Sequence, residues 1–300
     1  MEKHYSLLEP KCKRFSDPEM LDLSVIIVNW NTRDLLQKCL FSLYCYTKGI
    51  SYEVFVVDNG SSDGSPEMVE QLFPSVHLIH NKKNIGFSKA NNQAIRLTSS
   101  RYILLLNSDT ELTSNALQEV VLFMDSHPSV GISGTRLLNA DGTFQYSCDL
   151  FPRTPMRLLR DKFADTCYPG NAITRQRKIA LWNYNQNFAA DYLIGAMLLI
   201  RRETLDQIGL LDEQFFMYAE DIDWCYRAAL AGWETYYLGE ISIYHYNRGS
   251  SEKSPELSSY LQTLRDQSLL KFYKKHYGVF AAFILNMIMK AKHALHSYAK

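Results

Sequence analysis

Ser24-Val-Ile-Ile-Val-Asn29 and Glu53-Val-Phe-Val-Val-Asp58 are short, β-branched runs with apolar residues on both faces, and each ends in a polar residue. A strand with two apolar faces is covered on both sides, as in a parallel sheet between helical layers. Val76-His-Leu-Ile-His80 and Tyr102-Ile-Leu-Leu-Leu-Asn107 read the same way, as further buried strands. The spacers Arg33–Thr47, Ser65–Leu72 and Ser88–Thr98 are long enough for crossover helices. Strand and helix in alternation predict right-handed βαβ units and a doubly wound α/β sheet. Ligands of such sheets bind beyond the carboxyl ends of the strands. Asn29-Trp-Asn31, Asp58-Asn-Gly60 and Asn107-Ser-Asp109 are therefore expected to converge on one rim.

A chain of 300 residues suits one large α/β domain, or two lobes on a shared core. Hydrophobic residues at 46% and charged residues at 21% are ordinary globular composition and exclude a disordered or fibrous chain. Lys+Arg and Asp+Glu both number 32, so the basic excess typical of a nucleic-acid binder is absent. The six cysteines contain no CxxC pair, which argues against a disulfide framework or a zinc site and fits a reducing compartment such as the cytoplasm. Residues 1–20 are rich in charge and read as an N-terminal extension without an export signal.

Beyond residue 110 the pattern is less regular. Asp141–Phe188, with Pro152, Pro155, Pro169 and Gly170, predicts loops and short helices. Tyr192–Arg201 reads as one strand with Gly195 and Ala196 inside it, and a strand glycine often marks a close approach by a ligand or backbone. Ala219–Ala231 reads as a helix ended by Gly232, followed by short strands at Thr235–Leu238 and Ile241–His245. The tail predicts helices at Tyr260–His276 and about Phe280–Ser297. Residues 271–300 carry six lysines and no acid, flanking the apolar run Val279–Met289, which is far shorter than the roughly 20 residues that span a bilayer. Such a segment suits an interfacial anchor on an anionic leaflet, and equally a helix docked on the domain with solvated lysines.

Four clusters carry possible chemistry. Val57-Asp-Asn-Gly-Ser-Ser-Asp-Gly64 offers a strand-end carboxylate for a base or ribose and glycines for a turn near a phosphate, or simply a helix-capping turn. Leu105-Leu-Asn-Ser-Asp-Thr-Glu111 places Asp109 where a carboxylate binds Mg²⁺ or Mn²⁺, or caps a helix. Phe215–Arg227 crowds Glu220, Asp221 and Asp223 among five aromatic residues, an environment that raises at least one pKa and suits a general base. Ile243–Ser251 presents His245 at a strand end, as metal ligand, phosphate contact or structural residue. Asn84–Asn91 adds Gly86, Lys89 and Asn91. No Walker A, H-E-x-x-H or G-x-G-x-x-G motif opens a helix, which removes the commonest NTPase, zincin and dinucleotide readings.

In their order along residues 22–251, these segments, with Gly195–Arg202 and Ala231-Gly-Trp233, resemble the family 2 glycosyltransferases of GT-A fold, in particular the rhamnosyltransferase-like enzymes of bacterial polysaccharide synthesis. The resemblance implies a mixed, mainly parallel sheet flanked by helices: a nucleotide-sugar-binding half at 21–110, an acceptor-binding half at 111–255, and a basic helical tail at 256–300. It implies an inverting transfer of a hexose, rhamnose from dTDP-rhamnose first, to a glycan or polyprenyl-diphosphate-linked acceptor, with Mg²⁺ or Mn²⁺, at the inner face of the membrane. By position it makes Asp221 the base with Glu220 beside it, and Asp109 and His245 the metal ligands. Asn29, Asn31, Asp58, Gly60, Gly86, Asn91, Asn107 and Ser108 would bind the nucleotide, and Gly195, Ala196, Asp223 and Trp224 the sugars. Asn107 stands where the common DxD motif has its first carboxylate. The rival readings are a non-catalytic domain of this fold that binds nucleotide or glycan, and a nucleotidyltransferase. The latter needs a Gly-rich basic loop after the first strand, where Asn29–Leu36 offers only Arg33.

Overall fold

A computed structural model describes residues 20–154, 183–246 and 255–298. Four strands form the regular half: β1 (Leu23–Asn29), β2 (Tyr52–Asp58), β3 (His77–His80) and β4 (Tyr102–Asn107), with helices α1 (Arg33–Tyr46), α2 (Ser65–Leu72) and α3 (Phe87–Ile95) between them. The strand runs and helix spacers read from sequence agree within a few residues. β1 pairs in parallel with β2 and β4, in a register that sets Asn29 beside Asp58 and Val28 beside Asn107.

The double winding follows from alternation along β1. Leu23, Val25 and Ile27 pack with Leu36, Leu40 and Leu43 of α1 and Met68 and Val69 of α2. Ile26 points the other way, with Ala90, Ala94 and Ile95 of α3. Both faces are thereby dry, the condition for a buried parallel strand. β3 departs from the expectation of burial: it pairs only with β2, and His77 and His80 are exposed at this edge.

The chain continues through β5 (Thr110–Glu111), α4 (Ala116–Ser126), β6 (Val130–Leu138), β7 (Phe144–Gln145), β8 (Cys148–Asp149), β9 (Asn187–Ala190), β10 (Tyr192–Leu193) and β11 (Met197–Arg201). Helices α5 (Arg202–Ile208) and α6 (Glu220–Leu230), strand β12 (Glu234–His245) and helix α7 (Pro255–Tyr298) follow. The main sheet runs β3-β2-β1-β4-β11-β6-β12-β5, with β11 antiparallel to both neighbours, and it carries both halves of the chain without interruption.

Two strand expectations need correction. Tyr192–Arg201 is not one strand but β10 and β11, separated where Ala196 N–H donates to Ile194 O and Gly195 N–H leaves the ladder for a side chain. Thr235–Leu238 and Ile241–His245 are one strand, β12, whose register against β6 shifts between Leu238 and Ser242. Gly239 lies in that irregularity, where a Cβ would stand 2.4 Å from the Gln186 carbonyl oxygen.

α6 ends as expected, with Gly232 at φ +89°. α7 is broken at Gly278 (φ 87°), between the two helices expected in the tail. Its first limb is docked: Phe272 and Tyr273 are buried with Phe215 and Ala219, and Tyr277 Oη donates to Pro152 O. The N-terminal extension, most of the proline-bearing segment (155–182), and 247–254 after His245 lie outside the described residues.

Candidate active site

The rim of the sheet gathers the predicted strand ends. Asn29 Nδ2 donates to Asp58 Oδ1 (3.0 Å) and Ser61 Oγ (3.2 Å), while Thr32 Oγ1 donates to Asn29 Oδ1 (2.6 Å) and meets Ser108 Oγ at 2.9 Å. Asp58 Oδ2 accepts the backbone N–H of Gly60 and Ser61. Asp58 is buried, so it organises this loop from below, with one Oδ1 lone pair left over. Asn31 adopts φ 54° and accepts from Ser62 N–H. Arg33, Ser61, Ser62 and Glu67 line a cavity of about 500 Å³ beside the loop.

Across the rim, His245 Nε2 lies 3.2 Å from Asp109 Oδ1 and 3.3 Å from Asn107 Nδ2. Its tautomer is dictated by Gln145, whose NH₂ donates to Asn139 Oδ1 and His245 O, leaving Oε1 to accept from His245 Nδ1 at 2.6 Å. With Nδ1–H committed, Nε2 of the neutral ring carries a lone pair aimed at a carboxylate. Two acceptors that close are favourable only around a shared cation, either a proton or a metal ion. No group of three or more His, Cys, Asp or Glu surrounds the pair among the described residues. One carboxylate and one imidazole are donors that could hold a divalent ion.

The acidic pair approaches from the opposite side. Asp221 Oδ2 accepts Gly195 N–H (3.0 Å) and Oδ1 accepts Ile222 N–H (2.8 Å). Ala196 O in turn accepts Asn107 N–H (2.9 Å). Hydrogen bonds, linked through the backbone at Gly195–Ala196 and Asn107–Ser108, thus connect Asp221 to Asn107 and His245, and through Ser108 and Thr32 to Asn29 and Asp58, with Asp109 beside His245. Gly195 and Ala196 contribute backbone groups to these links. Burial pushes the Asp221 carboxyl up. Glu220 is more extreme: it is buried, Oε2 has no partner, and burial followed by the charge of Asp221 lifts its carboxyl well above the ordinary value. Both carboxyls of the pair are raised, Glu220 further than Asp221, and both Asp221 oxygens accept backbone N–H groups.

A raised carboxyl pKa means that the folded state binds the proton more tightly than the unfolded chain. The associated stability is full below the unfolded value and is lost as pH rises through the folded one. Glu220→Gln is expected to melt higher than the wild type above neutral pH, with the difference vanishing near pH 4. Thermal melts across that range check it, and equal melting temperatures at pH 9 would contradict the assignment.

Before this pair the backbone is strained. Tyr218 and Ala219 have φ of 71° and 65°, a region that costs a non-glycine residue about 1–3 kcal/mol. The preceding segment meets the donor side: Phe87 N–H donates to Phe216 O (2.7 Å), and a Cβ on Gly86 would stand 2.7 Å from the Phe216 ring and carbonyl.

Three expected contacts are placed otherwise. Asp223 is fully buried, with both oxygens in ion pairs. Trp224 is fully buried in the core, its Nε1–H given to Gly209 O. Asp223, two residues after Asp221, is turned to the opposite side of α6, whereas Trp224, three residues on, lies nearer the face of Asp221 and is taken up by the core. Asn91 is buried on α3, with Nδ2 on Phe87 O and Oδ1 unmatched. Sequence reasoning missed Gln145 and Thr32, which lie in no motif and are visible only once the strand ends are assembled, and it quoted Ser61 only as part of the turn after β2. It also missed the Tyr218–Ala219 turn, because nothing in Tyr-Ala signals a left-handed backbone.

Residues 24–209 match the family model described as glycosyl transferase family 2. The chain is 26% identical over 273 residues to the N-acetylglucosaminyl-diphospho-decaprenol L-rhamnosyltransferase of Mycobacterium tuberculosis, covering 85% of each protein. It is 29% identical over 228 residues to a low-salt glycan biosynthesis hexosyltransferase of Haloferax volcanii, covering 75% of this chain and 66% of that one. Among solved structures, a mannosyltransferase from Pyrobaculum calidifontis in complex with GDP-Man and Mn²⁺ superposes with a TM-score of 0.56 at 18% identity, over 92% of this chain and 76% of that one. Staphylococcus aureus TarS in complex with UDP gives 0.54 at 19%, over 83% and 66%. At such identities the structural likeness bears on the fold.

Proposed function

Because the chain belongs to glycosyl transferase family 2, with its GT-A fold, we propose that it moves rhamnose from dTDP-rhamnose to a glycan or polyprenyl-diphosphate-linked acceptor by a single displacement with inversion. That it is a glycosyltransferase follows from the family and its named relatives. Rhamnose and a lipid-linked acceptor are supported by the mycobacterial relative's name, and a dTDP donor by a 21%-identical dTDP-rhamnosyl transferase of Shigella flexneri.

The carrying observation is the chain of contacts that links Asp221, beside the strongly raised carboxyl of Glu220, with the Asp109–His245 pair. Asp58 receives the base or ribose on its spare lone pair, and Asn29, Asn31, Gly60 and Ser108 shape the loop against the nucleotide. Gly86 lets the α3 loop approach. Asp109 and His245 would hold Mg²⁺ or Mn²⁺, which supplies positive charge where the leaving diphosphate becomes more negative. Asp221 takes the acceptor hydroxyl's proton, and Gly195 N–H keeps its carboxylate aimed. Glu220, neutral, spares the pocket a second charge.

A panel of dTDP-, UDP- and GDP-sugars with Mn²⁺, read as released nucleotide diphosphate, tests this. Release from dTDP-rhamnose above the other donors is expected. Preference for another donor overturns the sugar assignment. No release from any donor favours the binding-only reading, towards which the lone carboxylate beside Asn107 leans.

The second limb of α7 is proposed to rest on the anionic inner leaflet. Phe280, Phe283 and Met287, at 76%, 60% and 54% exposure, share one helical face, and Leu285 packs inward. Lys274 and Lys290 stand exposed at either side. No helix among the described residues is long and apolar enough to cross a membrane. Not all tail lysines are solvated: Lys271 donates to Gln214 O, and Lys275 bonds Asp212 and Asp223. Full-length protein is expected to float with phosphatidylglycerol vesicles and the double variant Phe280→Ser/Phe283→Ser to stay behind. Equal flotation of the two would remove the proposal.

A further inference from the structure

The first limb of α7 reaches the catalytic helix from behind. Asp223 lies two residues after Asp221 on α6, with none of its surface exposed. Its Oδ1 accepts from Lys275 Nζ and His276 Nε2, each at 2.7 Å, and its Oδ2 from Arg227 Nε at 2.8 Å. Arg227 extends the cluster by donating to Leu210 O (2.8 Å) and to Ile208 O. Burial by itself pushes the Asp223 carboxyl up, but the bonds from His276 and Lys275 and the charge of Arg227 outweigh it and hold the group at about 2. Asp223 is therefore a permanent anion with three cationic or hydrogen-bonding partners, two of them on the tail.

The same limb grips the backbone just before α6. Ser268 Oγ donates to Met217 O (2.8 Å), Lys271 Nζ donates to Gln214 O (2.7 Å), and the Arg265 guanidinium lies 4.6 Å over the Tyr218 ring. These contacts bracket Tyr218 and Ala219, both left-handed and neither a glycine. Ala219 occupies the N-cap position of α6 and has no side-chain cap to fix the start of the helix. A strained, uncapped helix start keeps its geometry only when its surroundings over-determine it. Asp221 then meets Gly195 from the first turn of that helix.

We infer that Ser268, Lys275 and His276 are positioning residues for transfer: by holding the Tyr218–Ala219 turn from one side and Asp223 from the other, they aim Asp221 into the cleft. The inference rests on Asp221 being the base. It deepens that reading, because it makes the tail a working part of the catalytic wall and not only a support for the membrane-facing limb.

The test uses the full-length chain with Lys275→Met, His276→Phe, Ser268→Ala and the conservative His276→Gln. Hydrogen exchange in the donor-free protein is expected to quicken about tenfold or more at the amides of residues 217–223 in Lys275→Met and His276→Phe. Exchange in β1 and β4 should stay unchanged, and His276→Gln should return the rate towards the wild type. With dTDP-rhamnose, kcat is expected to fall about 10–100-fold in the same two variants and less in Ser268→Ala, with KM for the donor within about twofold. Exchange that stays at wild-type rates, or that rises equally through the sheet, overturns the inference, as does a proportional rise in donor KM. Asp221→Asn keeps the two failures apart. An inactive Asp221→Asn beside a fully active His276→Phe removes the tail's role and leaves the base in place. An active Asp221→Asn removes the base itself, while the exchange pattern still reports on the clamp.

Discussion

Asp221→Asn is expected to bind nucleotide diphosphate within about twofold of the wild type and to transfer sugar about 10²–10⁴-fold more slowly, the range that general-base catalysis contributes. The asymmetry follows from what Asp221 touches. Its oxygens accept backbone N–H groups from Gly195 and Ile222, and neither bond reaches the loops at Asp58 or Gly86 that shape the nucleotide side. An asparagine oxygen can keep one of those bonds, so the turn retains its shape while the proton acceptor disappears. Calorimetry with dTDP together with single-turnover transfer separates the two effects. Retention of more than about a tenth of wild-type transfer would show that another group takes the proton.

Asp109→Ala is the second large effect, with transfer expected to drop about 10²–10³-fold, comparable to losing one charge-stabilising group at a leaving oxyanion. Here binding should change too. In the wild type Mn²⁺ is expected to tighten dTDP, because Asp109 and His245 would hold the ion and its charge would favour the diphosphate. In Asp109→Ala that tightening should disappear, since no second carboxylate stands beside His245 among the described residues. Equal dTDP affinity with and without Mn²⁺ in the wild type would argue that the Asp109–His245 pair shares a proton and not a metal.

The regular half was legible because its strands obey a simple physical rule. A parallel strand buried on both faces has to be apolar through its middle, and residues 25–28 of β1, 54–57 of β2 and 103–106 of β4 are. β3 broke the rule because the sequence does not say which strand lies at the edge. Candidate site residues at strand ends, such as Asn29, Asp58, Asn107 and Asp109, were legible for the same topological reason. Those on α6 were harder. Three acids in one helical turn look equivalent in sequence, yet one accepts from Gly195, one is buried with Oε2 unpartnered, and one is clasped by Lys275 and His276, residues more than fifty positions away. Partners that distant leave no local trace. Gln145 illustrates the same limit, since a glutamine in an irregular stretch gives no hint that it sets the tautomer of His245.

The ladder between Tyr102–Leu106 and Met197–Arg201 stitches the two halves of the chain edge to edge. Among the described residues the two halves share one sheet, so any motion that separated them would have to break this ladder. For anyone wishing to retarget such a protein, exchanging whole halves between relatives would tear through that ladder. Grafting the tips alone leaves the scaffold standing.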